Sequence, residues 1–319
     1  MTVGTALIGR GMAGTVFHAP LIRAVPELAL VAVAGSADAS AAIGSREVDL
    51  VVIATPNESH FPLAEAALRA GKHVVVDKPF TVTLAEADAL IALAAERGRL
   101  LTVFHNRRWD GDFLTLRSLI DSGRLGEVTL YEAHWDRFRP EPKPGWRETA
   151  SQGAGLLWDL GPHLVDQALL LFGTPDRVSG DVAIQREGAL ADDYFEVTLH
   201  YGARRAVLAA SSLIAAPRPR FAVHGTGGSF VRHGLDPQEA ALARGESPLA
   251  PGFGLDPTVP DGILTDAGGG RETIPTLAGR YLDFYRAVAA AIEAGAPPPV
   301  DPAGAREGLR ILAFARSGG

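Results

Sequence analysis

Lys78 stands in "VVVDKPF", at the mouth of an apolar run, and is one of three lysines in a chain with 27 arginines. Arginine would carry the charge as well, so lysine points to chemistry that needs an amine. A lysine loses its proton when buried or set beside another cation, whereas guanidinium does not. A solvated strand end is the alternative. In the second half, Asp159, His163 and Asp166 recur in "WDLGPHLVD", at spacings that line them along one face of a helix. Pro162 reads as a possible helix start, with the carboxylate about one turn ahead of the imidazole. An imidazole titrating near pH ~6.5 is a natural general base for a hydroxyl, with the carboxylate to orient it. A packing histidine and a metal pair are the rivals. No third ligand at suitable spacing is evident and H-E-x-x-H is absent, so no metal site is predicted.

Such groups need a scaffold to bring them to one place. The first 105 residues alternate β-branched runs with alanine- and leucine-rich helical patterns, the mark of a parallel sheet with crossover helices. Strands are predicted near 5–9, 29–34, 50–54, 73–76 and 100–104. Helices are predicted at 61–70 and 84–96, stopped by Gly71 and Gly98. Beyond Gly123 the strands lengthen and alternate with period two ("EVTLYEAHW", "YFEVTLHY", "RAVLAASSLI", "RFAVHG"), which predicts a mostly antiparallel second domain. The stretch 237–275, rich in glycine and proline, reads as a long surface loop. Two helices, "YLDFYRAVAAAIEAG" and "AREGLRILAFAR", follow it.

The first strand runs into "GRGMAG", where Gly9, Gly11 and Gly14 bracket Met12 and Ala13 in a G-x-G-x-x-G pattern that opens a helix. Glycines there permit a tight turn and close backbone approach, and the helix N-terminus attracts a pyrophosphate. In a doubly wound sheet, ligands sit beyond the carboxyl ends of the strands. Three such ends carry "TPNESH", "DKPF" and "HNRRW". Thr55, Pro56, Asn57 and His60 are therefore expected on the cofactor side, and Lys78 near a nicotinamide ring whose charge favours the neutral amine. Pro79 would fix the backbone beside it. Asp77 is either a partner of the lysine or a solvated end. Asn106 and Arg107 are candidate substrate residues, although Arg107 and Arg108 could instead pair with Asp110 and Asp112. Trp146 and Arg147 are candidates for a sugar-facing wall, and His18 reads as packing.

Composition narrows the partners. The chain has 319 residues, is 47% hydrophobic and carries a net charge of -7. With no basic footprint, nucleic acid and anionic membrane surfaces are not expected. The absence of cysteine removes disulfides and thiol chemistry and is compatible with the cytoplasm. No export signal is evident, and no apolar run approaches the roughly 18 residues of a membrane span. Small solutes remain as substrates.

Together "GRGMAG", "TPNESH", "DKPF", "HNRRWDGDF" and "GAGLLWDLGPHLVDQ" resemble the Gfo/Idh/MocA oxidoreductases over nearly the whole chain. The resemblance implies an α/β fold: an N-terminal Rossmann dinucleotide-binding domain over 1–122, with a parallel sheet, and a C-terminal α/β domain over 123–319. The second domain would carry a large, mostly antiparallel open sheet used for substrate binding and oligomerisation, as a dimer or tetramer. It also implies NAD(P)-dependent hydride transfer to or from a secondary alcohol of a sugar or cyclic polyol, with Lys78, Asp159 and His163 as the catalytic trio. "HNRRWDGDF" and "HWDRFRPEP" look most like the subgroup with NADP-dependent scyllo-inositol dehydrogenases. An NAD-dependent glycosidase and a non-catalytic dinucleotide or sugar sensor are the rival functions.

Two departures stand out. Asp77 replaces the glutamate of the family's E-K-P motif, shortening the carboxylate. Only "GSADASAAIGSREVD" separates the second strand from the third, where the family usually has another helix and strand. Either the crossover is trimmed or residues are missing, and a missing piece is the favoured expectation; the tail after Arg316 likewise reads as cut short. The second strand ends without the acid that would bind a ribose 2′-hydroxyl, and Asp38 comes late for that role. Ser36 would tolerate a 2′-phosphate, so NADP is favoured, with NAD as the alternative.

Overall fold

A computed structural model describes residues 2–151 and 153–318, with every side chain in that range except Trp146. The chain divides into two compact units, each discontinuous in sequence. The first runs to Trp109 and adds Pro237–Gly254 and Arg280–Leu309; the second comprises Asp110–Asp236, Leu255–Gly279 and the residues from Arg310 onward.

In the first unit, β1 (Val3–Ile8), β2 (Leu28–Ala34), β3 (Leu50–Ile53), β4 (His73–Val76) and β5 (Leu101–Val103) form one sheet in the order β2-β1-β3-β4-β5. All neighbours are parallel, and the five predicted strands all form. Strand order reverses between β1 and β3, which is where a doubly wound sheet opens a crevice beyond its strand ends. β1 and β3 are buried throughout, as strands covered on both faces must be. The helices that cover the sheet are α1 (Ala19–Arg23), which continues a π-helical turn over Ala13–His18, α2 (Ala39–Gly44), α3 (His60–Arg69) and α4 (Leu84–Arg97). α3 buries His60, Ala64, Ala67 and Leu68, a stripe at helical spacing. α4 begins on a capping box, with Thr83 Oγ1 accepting from Glu86 N and Glu86 returning the contact to Thr83 N, and ends on Gly98 at φ 58.

The link between β2 and β3 is short. From Gly35 the chain makes a 3-10 turn over Ser36–Asp38, forms α2 with Ala39, Ala42 and Ile43 buried, and enters β3 directly. β2 is left as the sheet edge, with Val31 and Val33 exposed.

The second unit holds α5 (Gly111–Asp121), β6 (Val128–His134), α6 (Leu156–Phe172), β7 (Arg177–Ala183), β8 (Tyr194–Tyr201), β9 (Arg204–Ser211), β10 (Phe221–Gly225) and β11 (Gly228–Arg232). The stretch expected as a long loop corrects that expectation. It contains α7 (Gln238–Ala243), which belongs to the first unit, and β12 (Gly262–Asp266) and β13 (Arg271–Ile274), which belong to the second. Its glycines and prolines stand at the ends of these short elements and in the hairpin turn at 267–270, so turn chemistry masked them. The sheet order is β13-β12-β11-β10-β6-β9-β8-β7, antiparallel except where β6 meets β9. α6 lies against β8 and β9, whose Phe195, Val197, Leu199, Ala206 and Leu208 are buried. On the alternate positions of β8, Tyr194, Glu196, Thr198 and His200 are half-buried. In the first unit α8 (Leu282–Ala294) follows, and α9 (Pro302–Arg316) contributes residues to the first unit up to Leu309 and to the second from Arg310.

Candidate active site

The three glycines of the first loop differ in what they face. Gly9 has φ +133, and a Cβ there would stand 2.2 Å from the Ala54 carbonyl oxygen; at Gly14 a Cβ would stand 2.1 Å from the Gly9 carbonyl oxygen. Those two hold the loop against β3 and itself. A Cβ at Gly11 would meet nothing within 4 Å, so that position leaves open the space a pyrophosphate needs beside the backbone. Met12 is exposed, and Ala13, the first residue of the π-helical turn, is half-buried. The residues present therefore fit a dinucleotide.

The ends of β3 and β4 are tied together. His60 is fully buried at the start of α3, with Nδ1 2.8 Å from the Pro79 carbonyl and Nε2 3.0 Å from the Thr55 carbonyl. Burial lowers its pKa against the opposing pull of Asp77. A neutral ring donates only one N–H, so one of the two contacts carries the proton at neutral pH. His60 was expected to reach the cofactor; buried between two carbonyls, it instead fixes the loops that carry Thr55, Pro56 and Lys78. Thr55 Oγ1 accepts from Ser59 Oγ at 2.7 Å, and Asn57 is buried in the turn Asn57–Ser59. The Lys78–Pro79 peptide is cis.

Asp77 is not a solvated end. Its Oδ1 accepts from the Lys78 backbone N–H at 2.8 Å, and its Oδ2 lies 3.9 Å from His18 Nε2. Burial pushes this carboxyl up, but His18, Lys78 and His60 together hold it below the usual carboxylate range. His18 Nδ1 lies 2.5 Å from the Tyr285 hydroxyl, and its ring packs 4.3 Å from that of Phe104.

Beyond β5, Asn106 and Arg107 are buried. Arg107, a candidate for gripping substrate or pairing with nearby aspartates, donates from its guanidinium to the Tyr281 hydroxyl and to Glu239. It braces α7, which is also stitched in by Gln238, whose amide donates to Trp109 O and accepts from Tyr281 N. On the β2 side, Ser36 is exposed, and Arg10 reaches the Asp38 carboxylate at 3.0 Å.

In the second unit, α6 starts earlier than Pro162. Gly155, at φ +97, leads into it, and a Cβ there would overlap the Asp192 carboxylate. That carboxylate accepts from Leu157 N at 2.7 Å, and the Asp192 carbonyl accepts from Leu156 N at 2.8 Å, satisfying the first turn. Asp159 and His163 therefore share one helix, one turn apart, with Pro162 inside it. Asp159 lies 3.3 Å from Arg147 Nε and 3.6 Å from Arg137 Nη1. His163 is 5% exposed, with its ring 5.8 Å from that of Trp135. Arg147 rides on a 3-10 turn over Trp146–Glu148. Glu148 pairs with buried Arg186 at 2.7 Å, and Arg186 pairs with Asp193 at 2.9 Å. The expected role of Trp146 in a sugar-facing wall concerns a side chain outside the described residues. Arg137, Arg186 and the Asp192–Asp193 pair were not foreseen, and only the "ADD" run among neutral residues marked the last of these.

Residues 36–105 match the oxidoreductase family with an NAD-binding Rossmann fold, and residues 113–231 match the GFO/IDH/MocA C-terminal domain. The chain is 45% identical over 328 residues to the uncharacterized oxidoreductase YdgJ of Escherichia coli, covering 97% of this chain and 94% of that one. The chain belongs to the Gfo/Idh/MocA oxidoreductase family. A second family relative, scyllo-inositol 2-dehydrogenase (NADP(+)) IolW of Bacillus subtilis, is 39% identical over 98% of this chain and 91% of its own. A crystal structure from Klebsiella pneumoniae aligns with a TM-score of 0.92 at 43% identity, covering 99% of this chain and 92% of its own. This family member is thus an oxidoreductase with a nicotinamide-binding domain, a dehydrogenase acting on CH–OH groups. Among its described residues no helix is long and apolar enough to cross a membrane.

Proposed function

We propose that the chain interconverts a secondary alcohol of a sugar or inositol-like polyol and the corresponding ketone, with NADP as the favoured cofactor and NAD as the alternative. The observation that carries this reading is the match with an NADP-dependent scyllo-inositol dehydrogenase over 98% of the chain. Retention of Lys78, Asp159 and His163 supports it, and so does the absence of an acid at Ala34, Gly35 and Ser36.

The glycine loop with Met12 and Ala13, the segment Thr55–Asn57 and Ser36 would hold the dinucleotide, which supplies two-electron exchange when bound. His163 accepts the hydroxyl proton, and Asp159 supports the imidazolium that forms. Arg137 and Arg147 hold the Asp159 carboxylate in place. Lys78 donates a hydrogen bond to the reacting oxygen or relays the proton, and the Asp77 carboxylate accepting from its backbone N–H orders that turn. Asn106 and Arg147 are the substrate residues of this reading, whereas Arg107 and His60 position the elements around them. We place the enzyme in the cytoplasm as a homo-oligomer built on the open sheet.

A screen of inositols, other cyclic polyols and sugars with NAD and NADP separately, following nicotinamide reduction by absorbance, tests this function. Turnover of a polyol, faster with NADP, is expected. Binding of either dinucleotide without turnover of any polyol or sugar would overturn it in favour of a sensor.

A further inference from the structure

Arg10 is the second residue of the glycine loop, just beyond β1. Its Nη2 lies 3.2 Å from the Val33 carbonyl and 3.0 Å from the Asp38 carboxylate, which carries the side chain across to the carboxyl end of the neighbouring strand β2. A Cβ at Gly35 would stand 3.6 Å from Nη1, so the guanidinium lies along the glycine that precedes Ser36. The Arg10 and Asp38 side chains are 60% and 58% exposed. The pair is therefore open to a ligand arriving from solvent.

This is the corner of a doubly wound sheet where the adenosine ribose is read. An acid about 20 residues past the glycine loop binds a free 2′-hydroxyl, and a nearby arginine accommodates a 2′-phosphate. Here the strand-end residues are Ala34, Gly35 and Ser36, none of them acidic. The first acid is Asp38, and its carboxylate already faces Arg10. Resting on the dinucleotide reading above, we propose that Arg10 is the residue that selects NADP by binding its 2′-phosphate. A planar guanidinium with five donors matches phosphate oxygens, and the bond is charge-assisted at both ends. Asp38 acts in the opposite direction. It aligns the guanidinium before the ligand arrives but sets a negative charge beside the incoming phosphate. The two residues thus set cofactor preference as a balance, and altering each should move that preference in opposite senses.

Calorimetric titration with ADP-ribose and its 2′-phosphate tests this, because the two ligands differ only in the group at issue. In the wild-type protein the 2′-phosphate ligand should bind at least about tenfold more tightly, the scale of a hydrogen bond between charged groups. Arg10→Met should abolish that ratio while leaving ADP-ribose affinity unchanged, which also shows that the variant is folded. Asp38→Asn should increase the ratio several-fold. Because the pair is exposed, the wild-type ratio should shrink as salt is raised. An unchanged ratio in Arg10→Met, or a smaller ratio in Asp38→Asn, would overturn the assignment while leaving the dinucleotide reading intact. Failure of both ligands to bind the wild-type protein would remove that reading, and the role of Arg10 with it.

Discussion

His18 faces the Asp77 carboxylate at 3.9 Å while its other ring nitrogen holds the Tyr285 hydroxyl at 2.5 Å. Residues more than 200 positions apart in sequence thereby fix the acid that precedes Lys78. The lysine's backbone is ordered from behind by a buried aromatic layer of Phe104, Phe284 and Tyr285, and not by solvent.

The neighbouring His60 sets a pH dependence of stability. Its folded pKa is lowered by burial from the ordinary 6.5, so the unfolded chain binds a proton that the native ring refuses. Stability rises with pH wherever the unfolded state holds more protons. It should therefore be full above pH 6.5 and fall as the pH drops below it. His73 and His134, also lowered chiefly by burial, add to the fall. Asp77, depressed from 3.8, contributes only in a lower window. Melting temperatures measured from pH 8 to 5 should decline, and His60→Gln should flatten the decline; an equally steep slope would remove His60 from this account.

Lys78→Met removes the amine and keeps most of the side-chain volume. Turnover should fall by about 10²–10⁴, the usual worth of a positioned proton-transfer group. Dinucleotide affinity should stay within a factor of about three. Steady-state rates and fluorescence titration of the reduced cofactor measure both, and unimpaired turnover would refute the role.

The loop glycines separate folding from binding. Gly14→Ala would push a Cβ to 2.1 Å from a backbone oxygen, and overpacking of that kind costs about 1–3 kcal/mol, so its melting temperature should drop. Gly11→Ala adds a methyl group to open space. Its melting temperature should match wild type while ADP-ribose affinity falls about tenfold or more. Equal affinities in Gly11→Ala and wild type would place the pyrophosphate elsewhere.

Asp159→Asn strips the charge that faces Arg137 and Arg147. With that carboxylate charge lost one helical turn from His163, the imidazolium should be disfavoured. Turnover should fall, and the acidic limb of the pH–rate profile should move to lower pH. A limb that stays in place would mean that Asp159 does not act through His163.

Much of the first unit was legible because its strands are β-branched runs and its helices stop at Gly71 and Gly98. The D-x-x-x-H pair was legible as well, since a spacing of four survives an interior proline. What could not be read came from pairings over long separations. Nothing near Arg107 announced Tyr281 or Glu239, and nothing near His18 announced Tyr285. The hairpin of β12 and β13 escaped because its strands, "GILTD" and "RETI", are too short for alternation to outweigh the surrounding glycines. Arg10 was passed over because its reach to β2 depends on strand adjacency, which no local pattern reports.

The strand order has an outcome for engineering. Because β2 is the outermost strand and β4 lies three places inward, Arg10's contacts and the Lys78 turn stand roughly 14 Å apart at the usual inter-strand spacing. On the roles proposed for Arg10 and Lys78, coenzyme swapping and proton handling would occupy separate districts of one sheet, and a library confined to residues 10 and 35–38 should retune the first without touching the second.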